Sequence, residues 1–332
     1  MLLYIVRRIL IMIPTLVLTS VLVFTIIELP PGDYFETYIA ELQAQGESAD
    51  KAKIEFLKKE YGFDKHPVER YFIWATGLLH GDFGYSFEYQ LPVREVVGDR
   101  LFLTVLVSFA TIALTWLIAF PIGVYSATHQ YSWGDYGLSF LGLIGIAVPN
   151  FLMALVMMYV ANAWFGTSIG HLMAPEYIGQ PMSWAKTKSI AGHLWIPVIV
   201  IGLSGTAGMI RKLRANLLDE LQKQYVITAH AKGMHPFRAL IKYPLRTSLN
   251  FFIGDIGGIL PEIVSGAEIV AIVLSLETTG PLLIRALQSQ DMYLAGSFLM
   301  FLAFLTVTGV LLSDLALAIL DPRIRLQGKS TK

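Results

Sequence analysis

Two serines stand in spacings that can make a nucleophile. Ser168 lies in Gly166-Thr167-Ser168-Ile169-Gly170, the glycine-x-serine-x-glycine spacing of a hydrolase turn, which needs a strand before it and a helix after it to raise the hydroxyl. Here a long apolar run precedes it, so hydrolysis is not expected. Ser204, in Gly202-Leu203-Ser204-Gly205, sits inside an apolar stretch, as an intramembrane serine protease would place its nucleophile. Such a serine needs a base within hydrogen-bond reach. The histidines are His66, His80, His129, His171, His193, His230 and His235, and none falls in the last two apolar stretches. Gly202, Gly205 and Gly208 read instead as sites of close helix packing. Gly328-Lys329-Ser330 resembles the end of a phosphate loop, but Arg323 occupies the place of the required first glycine and no strand precedes it. With no cysteine and no His-Glu-x-x-His run, thiolate metal sites, disulfides and metal hydrolysis lack their ligands. The chemistry that remains is that of charges held in apolar surroundings. Intramembrane acids are costly and usually face a cavity. Asp255 and Glu262, seven residues apart on one helical face, are the leading candidates to line a path, with Asn150 beside Pro149. Pairing between helices is the alternative reading of these acids. Glu268 falls on another face, and Asp314 near the end of its run faces an interface.

The elements that hold these groups follow from composition. Of 332 residues, 55% are hydrophobic and 15% charged, against about a quarter charged in soluble domains. This excludes a disordered chain and argues against a soluble enzyme. Lys+Arg and Asp+Glu number 25 each, so no net basic field exists for nucleic acid. About 20 apolar residues span a bilayer as a helix, and six segments qualify: Ile9–Glu28, Leu101–Ala127, Tyr136–Phe165, Leu194–Ile210, Phe251–Leu274 and Tyr293–Leu320. The third is long enough to be tilted or broken at Pro149. The expected fold is an all-α membrane protein with six transmembrane helices. Arg7 and Arg8, the basic stretch from Arg211 to Arg246, and Arg323, Arg325, Lys329 and Lys332 fall on one side, which places both termini in the cytoplasm.

Four segments result: 1–29 with the first helix, read as a retained anchor rather than a signal peptide; an external insert, 30–100; a five-helix core, 101–320, carrying a cytoplasmic loop at 211–250; and a tail, 321–332. The insert is polar but not low in complexity. A capped amphipathic helix is expected after Ser48-Ala49-Asp50, with Ile54, Phe56 and Leu57. A second apolar patch, Tyr71 to Ala75 with Leu78 and Leu79, is expected to lie against the membrane or neighbouring spans. A folded plug and a docking surface for a soluble partner are both open readings of this insert.

The loop between the fourth and fifth spans is patterned as helix, break, helix. Arg214 to Lys232 reads as one helix with Leu217, Leu218, Leu221, Tyr225 and Thr228 or Ala229 at three- and four-residue steps. Gly233 ends it, Pro236 opens the next helix, and Pro244 pushes Tyr243 out of the helical region. The second helix carries Phe237, Leu240 and Ile241, which with Met234 suit a groove on a partner. The run from Tyr225 to Gly233 followed by Tyr243-Pro244-Leu245-Arg246 resembles the coupling loop of ABC importer permeases, nearest the dipeptide and oligopeptide family. Thr228 to Gly233 and Leu245-Arg246 match that family's version. Tyr4-Ile5-Val6-Arg7-Arg8, Pro31-Gly32-Asp33, Tyr61-Gly62-Phe63-Asp64, Gly81 to Ser86 and Leu320 to Arg325 agree in order and spacing.

The resemblance implies one of two homologous permease subunits in a bacterial inner membrane. Its partners would be two cytoplasmic ATPase subunits, which bind ATP and Mg, and an external or periplasmic solute-binding protein. It implies no cofactor and no catalytic residue in this chain. Ala229, Lys232, Gly233, Met234 and Arg238 are the expected ATPase contacts. A peptide-like solute is the first expectation. Leu276 to Pro281 departs from the family's usual Trp-Pro-Gly turn, so oligosaccharides, opine-like compounds and nickel remain alternatives. A proton-coupled secondary transporter is the more distant one.

Overall fold

A computed structural model of the chain describes residues 2–32, 34–44, 51–166 and 170–320; within these, the side chains at 2–3, 40–42, 51–53, 57, 99, 165, 251, 255–267 and 320 are not described. Helices dominate: α1 (Leu2–Glu28), α2 (Tyr34–Ala44), α3 (Lys51–Glu60), α4 (Pro67–Leu79), α5 (Val93–Thr128), α6 (Trp133–Ala147), α7 (Asn150–Phe165), α8 (Trp184–His193), α9 (Trp195–Leu221), α10 (Gln224–Ala231), α11 (Pro236–Lys242), α12 (Pro244–Val273), α13 (Thr279–Gln288) and α14 (Met292–Leu320). A short hairpin pairs β1 (Tyr85–Ser86) with β2 (Leu91–Pro92).

Among the described residues, α1, α5, α9 and α14 are each long and apolar enough to cross a bilayer. The stretch expected as one third span is two helices, α6 and α7, bent by 100°. Val148 and Pro149 are extended at the bend, with ψ of 121° and 135°. Proline cannot donate to the preceding turn and disfavours helical geometry in the residue before it. All but the last residue of the fifth expected span lies within α12, which starts at Pro244 and is capped by Leu274.

The chain divides into two compact units. One is built on Val105–Glu277 with the described residues from Thr308 onward, the other on Val6–Thr104 with Thr278–Val307. In the first, α9 packs against α6, α7, α8 and α12. Ile196, Val200, Leu213 and Leu217 are fully buried along it. In lipid, apolar surface gives little drive for helices to associate, so close approach at small residues carries the packing. A Cβ on Gly202 would lie 3.2 Å from Thr115 Oγ1, one on Gly145 3.0 Å from Leu203, and one on Gly123 2.8 Å from Leu213. A Cβ on Gly205 or Gly208 would meet no atom within 4 Å among the described residues, so of the three glycines on α9 it is Gly202 at which close packing is seen. Ser313 on α14 donates to the Ile253 carbonyl of α12 at 2.6 Å.

The second unit has an aromatic core. Phe35 packs on Phe87 and Phe63, with ring centres 4.9 and 5.3 Å apart, and Phe24 of α1 meets Tyr71 and Trp74 of α4. Of the apolar patch on α4, Trp74 is buried while Phe72 and Leu79 are exposed. The amphipathic helix is α3, with Ile54 buried and Phe56 exposed; its expected cap, 48–50, lies outside the described residues. The run Gly81 to Ser86 ties this unit together. Gly84, at φ +78°, lies under the Tyr293 ring, the Phe83 carbonyl accepts from Ser297 at 3.0 Å, and Ser86 donates to buried Asp291 at 2.7 Å.

Candidate functional site

The basic loop after α9 forms an elbow of two short helices. The helix expected from Arg214 to Lys232 is in fact broken. α9 ends at Leu221, Lys223 is extended with ψ of 146°, and α10 starts at Gln224. The break has no glycine or proline, and Lys223 makes no side-chain cap. It is sealed instead by Lys223 N–H donating to the Glu220 carbonyl at 3.2 Å.

The C-terminus of α10 is fixed more tightly. Gly233 has φ of +77°, its N–H donates to the His230 carbonyl at 2.9 Å, and the Met234 N–H donates to that of Ala229 at 3.1 Å. This pair of bonds is the Schellman closure, which favours glycine at the left-handed position. Two residues later His235 Nδ1 accepts from the Phe237 N–H at 3.3 Å, and Pro236 takes the first position of α11. Tyr243 leaves the helical region, with φ −119° and ψ −81°. The turns at Gly233, at His235–Pro236 and at Tyr243–Pro244 are thus each specified by their own residues.

The inward face consists of Val226, Ala229 and Ala239, all buried. Beneath the elbow, Leu240 packs with Ala127, Leu217 and Leu245. The outward face carries exposed Ile227, Phe237 and Ile241 among the exposed cations Lys232 and Arg238. Of the five expected contacts, Lys232, Gly233 and Arg238 are exposed, Met234 is half-buried and Ala229 is turned inward. Ala229 therefore shapes the elbow from inside. Ile227 was not singled out as a contact, although the alternation of Val226 and Ala229 inward with Ile227 outward is a signal the sequence contains.

Asn150 is the first residue of α7, at the bend, and its side chain donates to Ser204 Oγ of α9 at 3.4 Å, a long hydrogen bond. Ser204 is thereby held by an amide rather than a base. Asp255 and Glu262 stand on the α12 backbone two turns apart, and their side chains lie outside the described residues. Ser168 and Gly328 to Ser330 lie outside them as well. Among the described residues, no three histidine, aspartate or glutamate side chains cluster as metal ligands.

A mostly helical chain with several membrane-capable helices and a capped, basic elbow following one of them has the make-up of a multi-pass membrane protein. Residues 119–326 match the family of binding-protein-dependent transport system inner membrane components, and the chain belongs to that family. It is 31% identical over 325 residues to the oligopeptide transport system permease protein AppB of Bacillus subtilis, covering 97% of this chain and 98% of that protein. To a putative peptide permease protein of Brucella ovis it is 30% identical, over 98% of this chain and 100% of that one. To the peptidoglycan transport system permease protein YejB of Agrobacterium fabrum it is 27% identical, over 97% of each. The chain is a permease subunit of an ABC importer in the inner membrane. Its family works with a solute-binding protein and ATPase subunits, and its role is transport, not catalysis.

Proposed function

We propose that this chain is one of two homologous subunits forming the path of an ATP-driven importer for peptide-like solutes, with the α10–α11 elbow seated in a cleft of a cytoplasmic ATPase. The elbow carries the reading. Its shape is locked by the closure at Gly233 and the cap at His235, while Phe237 is 63% exposed and Ile227 53%. Apolar side chains set among cations, outside the membrane and on a rigid support, are what a helix-in-groove contact requires. ATP and Mg would be bound by the partner, and the permease would contribute the lever.

On this reading the six spans are α1, α5, α6 with α7, α9, α12 and α14, with both termini in the cytoplasm. The excess of Lys and Arg from Arg211 to Arg246 supports that orientation. Asn150, Asp255 and Glu262 would face the path, since polar groups at that depth are tolerated where water or protein meets them. The printed names of the relatives support a peptide-like cargo.

The test is purification of the complex from its native membrane through a tag on this chain. An ATPase should come with it, and Phe237→Glu should remove the ATPase while the permease still inserts. An ATPase that stays bound to the Phe237→Glu chain, or one that never accompanies the unaltered chain, would sink the assignment.

A further inference from the structure

α6 and α9 are fastened to each other along the whole of α6. At one end, Asp135 is 1% exposed. Its carboxylate accepts from Arg214 Nε at 2.8 Å and from Nη2 at 2.7 Å, one bond to each oxygen. The Tyr131 N–H donates to the same carboxylate at 3.0 Å, and Ser132 Oγ accepts from the Asp135 N–H at 3.1 Å. The turn leading into α6 is itself fixed. Tyr131 has φ of +64°, and a Cβ on Gly134 would lie 2.4 Å from the Tyr125 hydroxyl. Midway along the helix, a Cβ on Gly142 would sit 3.8 Å from that of Ala207. At the far end Gly145 lies against Leu203, and Asn150 beyond the bend meets Ser204. Numbers rise along α6 as they fall along α9, so the two run antiparallel in one register.

Apolar contacts between helices tolerate small sliding, the usual shear of packed elements. A forked Arg–carboxylate pair does not: a shift along either axis breaks both bonds and leaves the buried Asp135 carboxylate without its partner. Arg214 stands two turns before α9 ends at Leu221, and α10 begins at Gln224. The pair therefore lies between the elbow and the bend at Pro149.

We propose that α6 and α9 move as one rigid arm, with Asp135 and Arg214 as the positioning pair that delivers a displacement of α10 to the α6–α7 bend, where Asn150 stands. This rests on the reading that the elbow takes the stroke of the ATPase. It adds that the output of that stroke is α7, through a pair of residues at the opposite end of α6 from the bend.

The chain contains no cysteine, so paired nitroxide labels can be placed by substitution in the assembled, membrane-reconstituted complex. Labels at Leu152→Cys on α7 and Ile272→Cys on α12 should change separation when ATP and Mg are added. With the ATPase bound and hydrolysing, an unchanged separation overturns the proposal; an ATPase that does not accompany the chain overturns the earlier assignment instead. Asp135→Asn, and Arg214→Lys, which keeps the charge but loses the fork, should retain ATPase binding and hydrolysis but lose most of that change. A full-sized change in either variant overturns the role of the pair. A further measurement leaves the pair intact. Labels at Phe140→Cys on α6 and Ala215→Cys on α9 should hold one separation throughout the cycle, and a change matching that between α7 and α12 overturns the rigid arm.

Discussion

Two residues of the second unit show how much a single position determines there. Gly84 has φ of +78°, and a Cβ on it would lie 2.3 Å from Tyr293 Cδ1. The Tyr293 ring cannot swing aside, because its hydroxyl donates to the Tyr61 carbonyl at 2.9 Å and the residue is 9% exposed. Gly84→Ala should cost on the order of 3 kcal/mol, from overpacking and left-handed strain together. Gly81 shares the same φ but has nothing within 4 Å, so Gly81→Ala should cost only about 1 kcal/mol of backbone strain. Thermal unfolding of the two variants should separate them, and equal midpoints would refute the clash. Asp291, at 0% exposed, is pushed above the ordinary aspartate range, first by burial and against the hydrogen bonds from Ser86, Glu88 and Leu294. A raised folded-state value means the folded unit holds the proton longer. Its contribution to stability is full below the unfolded value of about 3.9 and is lost as pH rises through the raised value. Asp291→Asn should flatten that slope in stability measured across the acidic range, although the amide nitrogen also sets a donor against N–H donors. An unchanged slope would place its origin elsewhere. Nothing in Ser289-Gln290-Asp291-Met292 marks this acid as buried; only the fold brings Ser86 to it.

At the scale of elements, the elbow was legible where glycine and proline punctuate it. Gly233, Pro236 and Pro244 stand where the sequence predicts a cap, a helix start and a helix end. The break at Gln222–Lys223 was not legible, because it uses ordinary exposed residues with no glycine, proline or side-chain cap, and is closed only by a backbone hydrogen bond. The bend at Pro149 was legible as a kink, but its angle was not, since proline forbids a straight helix without choosing a new direction. The fastening of α6 to α9 was hidden for a similar reason. Gly142 and Gly145 look like any glycines of an apolar run until Ala207 and Leu203 face them. The open space around Gly233 refines what a substitution there does. A Cβ there meets no atom of this chain within 4 Å, so within the chain the penalty is that of the left-handed backbone, about 1–2 kcal/mol and greatest for a β-branched residue. Gly233→Val should leave membrane insertion and ATP hydrolysis intact while lowering uptake per ATP, measured with the solute carried by the binding protein. Uptake at the level of the unaltered chain would show that the angle of the elbow does not transmit force.

For the molecule as a whole, composition had already indicated a lipid environment and a helical fold, and the family match extends that to an importer of the inner membrane. The candidate path was legible only as positions, because Asp255, Glu262 and Asn150 are marked by being polar in apolar runs. On the proposed reading, what they face depends on a second subunit that no single chain can encode. The same dependence is visible in how unevenly the spans are buried. In the most apolar part of α9, 61% of residues are buried by the chain itself, whereas in α1 the figure is 11%. α1 is thus held chiefly by what surrounds the chain. Backbone amide exchange of α1 should quicken sharply when the complex passes from lipid nanodiscs into a short-chain detergent, while that of α9 stays slow. The choice of solubilising agent would then decide whether the first span remains seated at all.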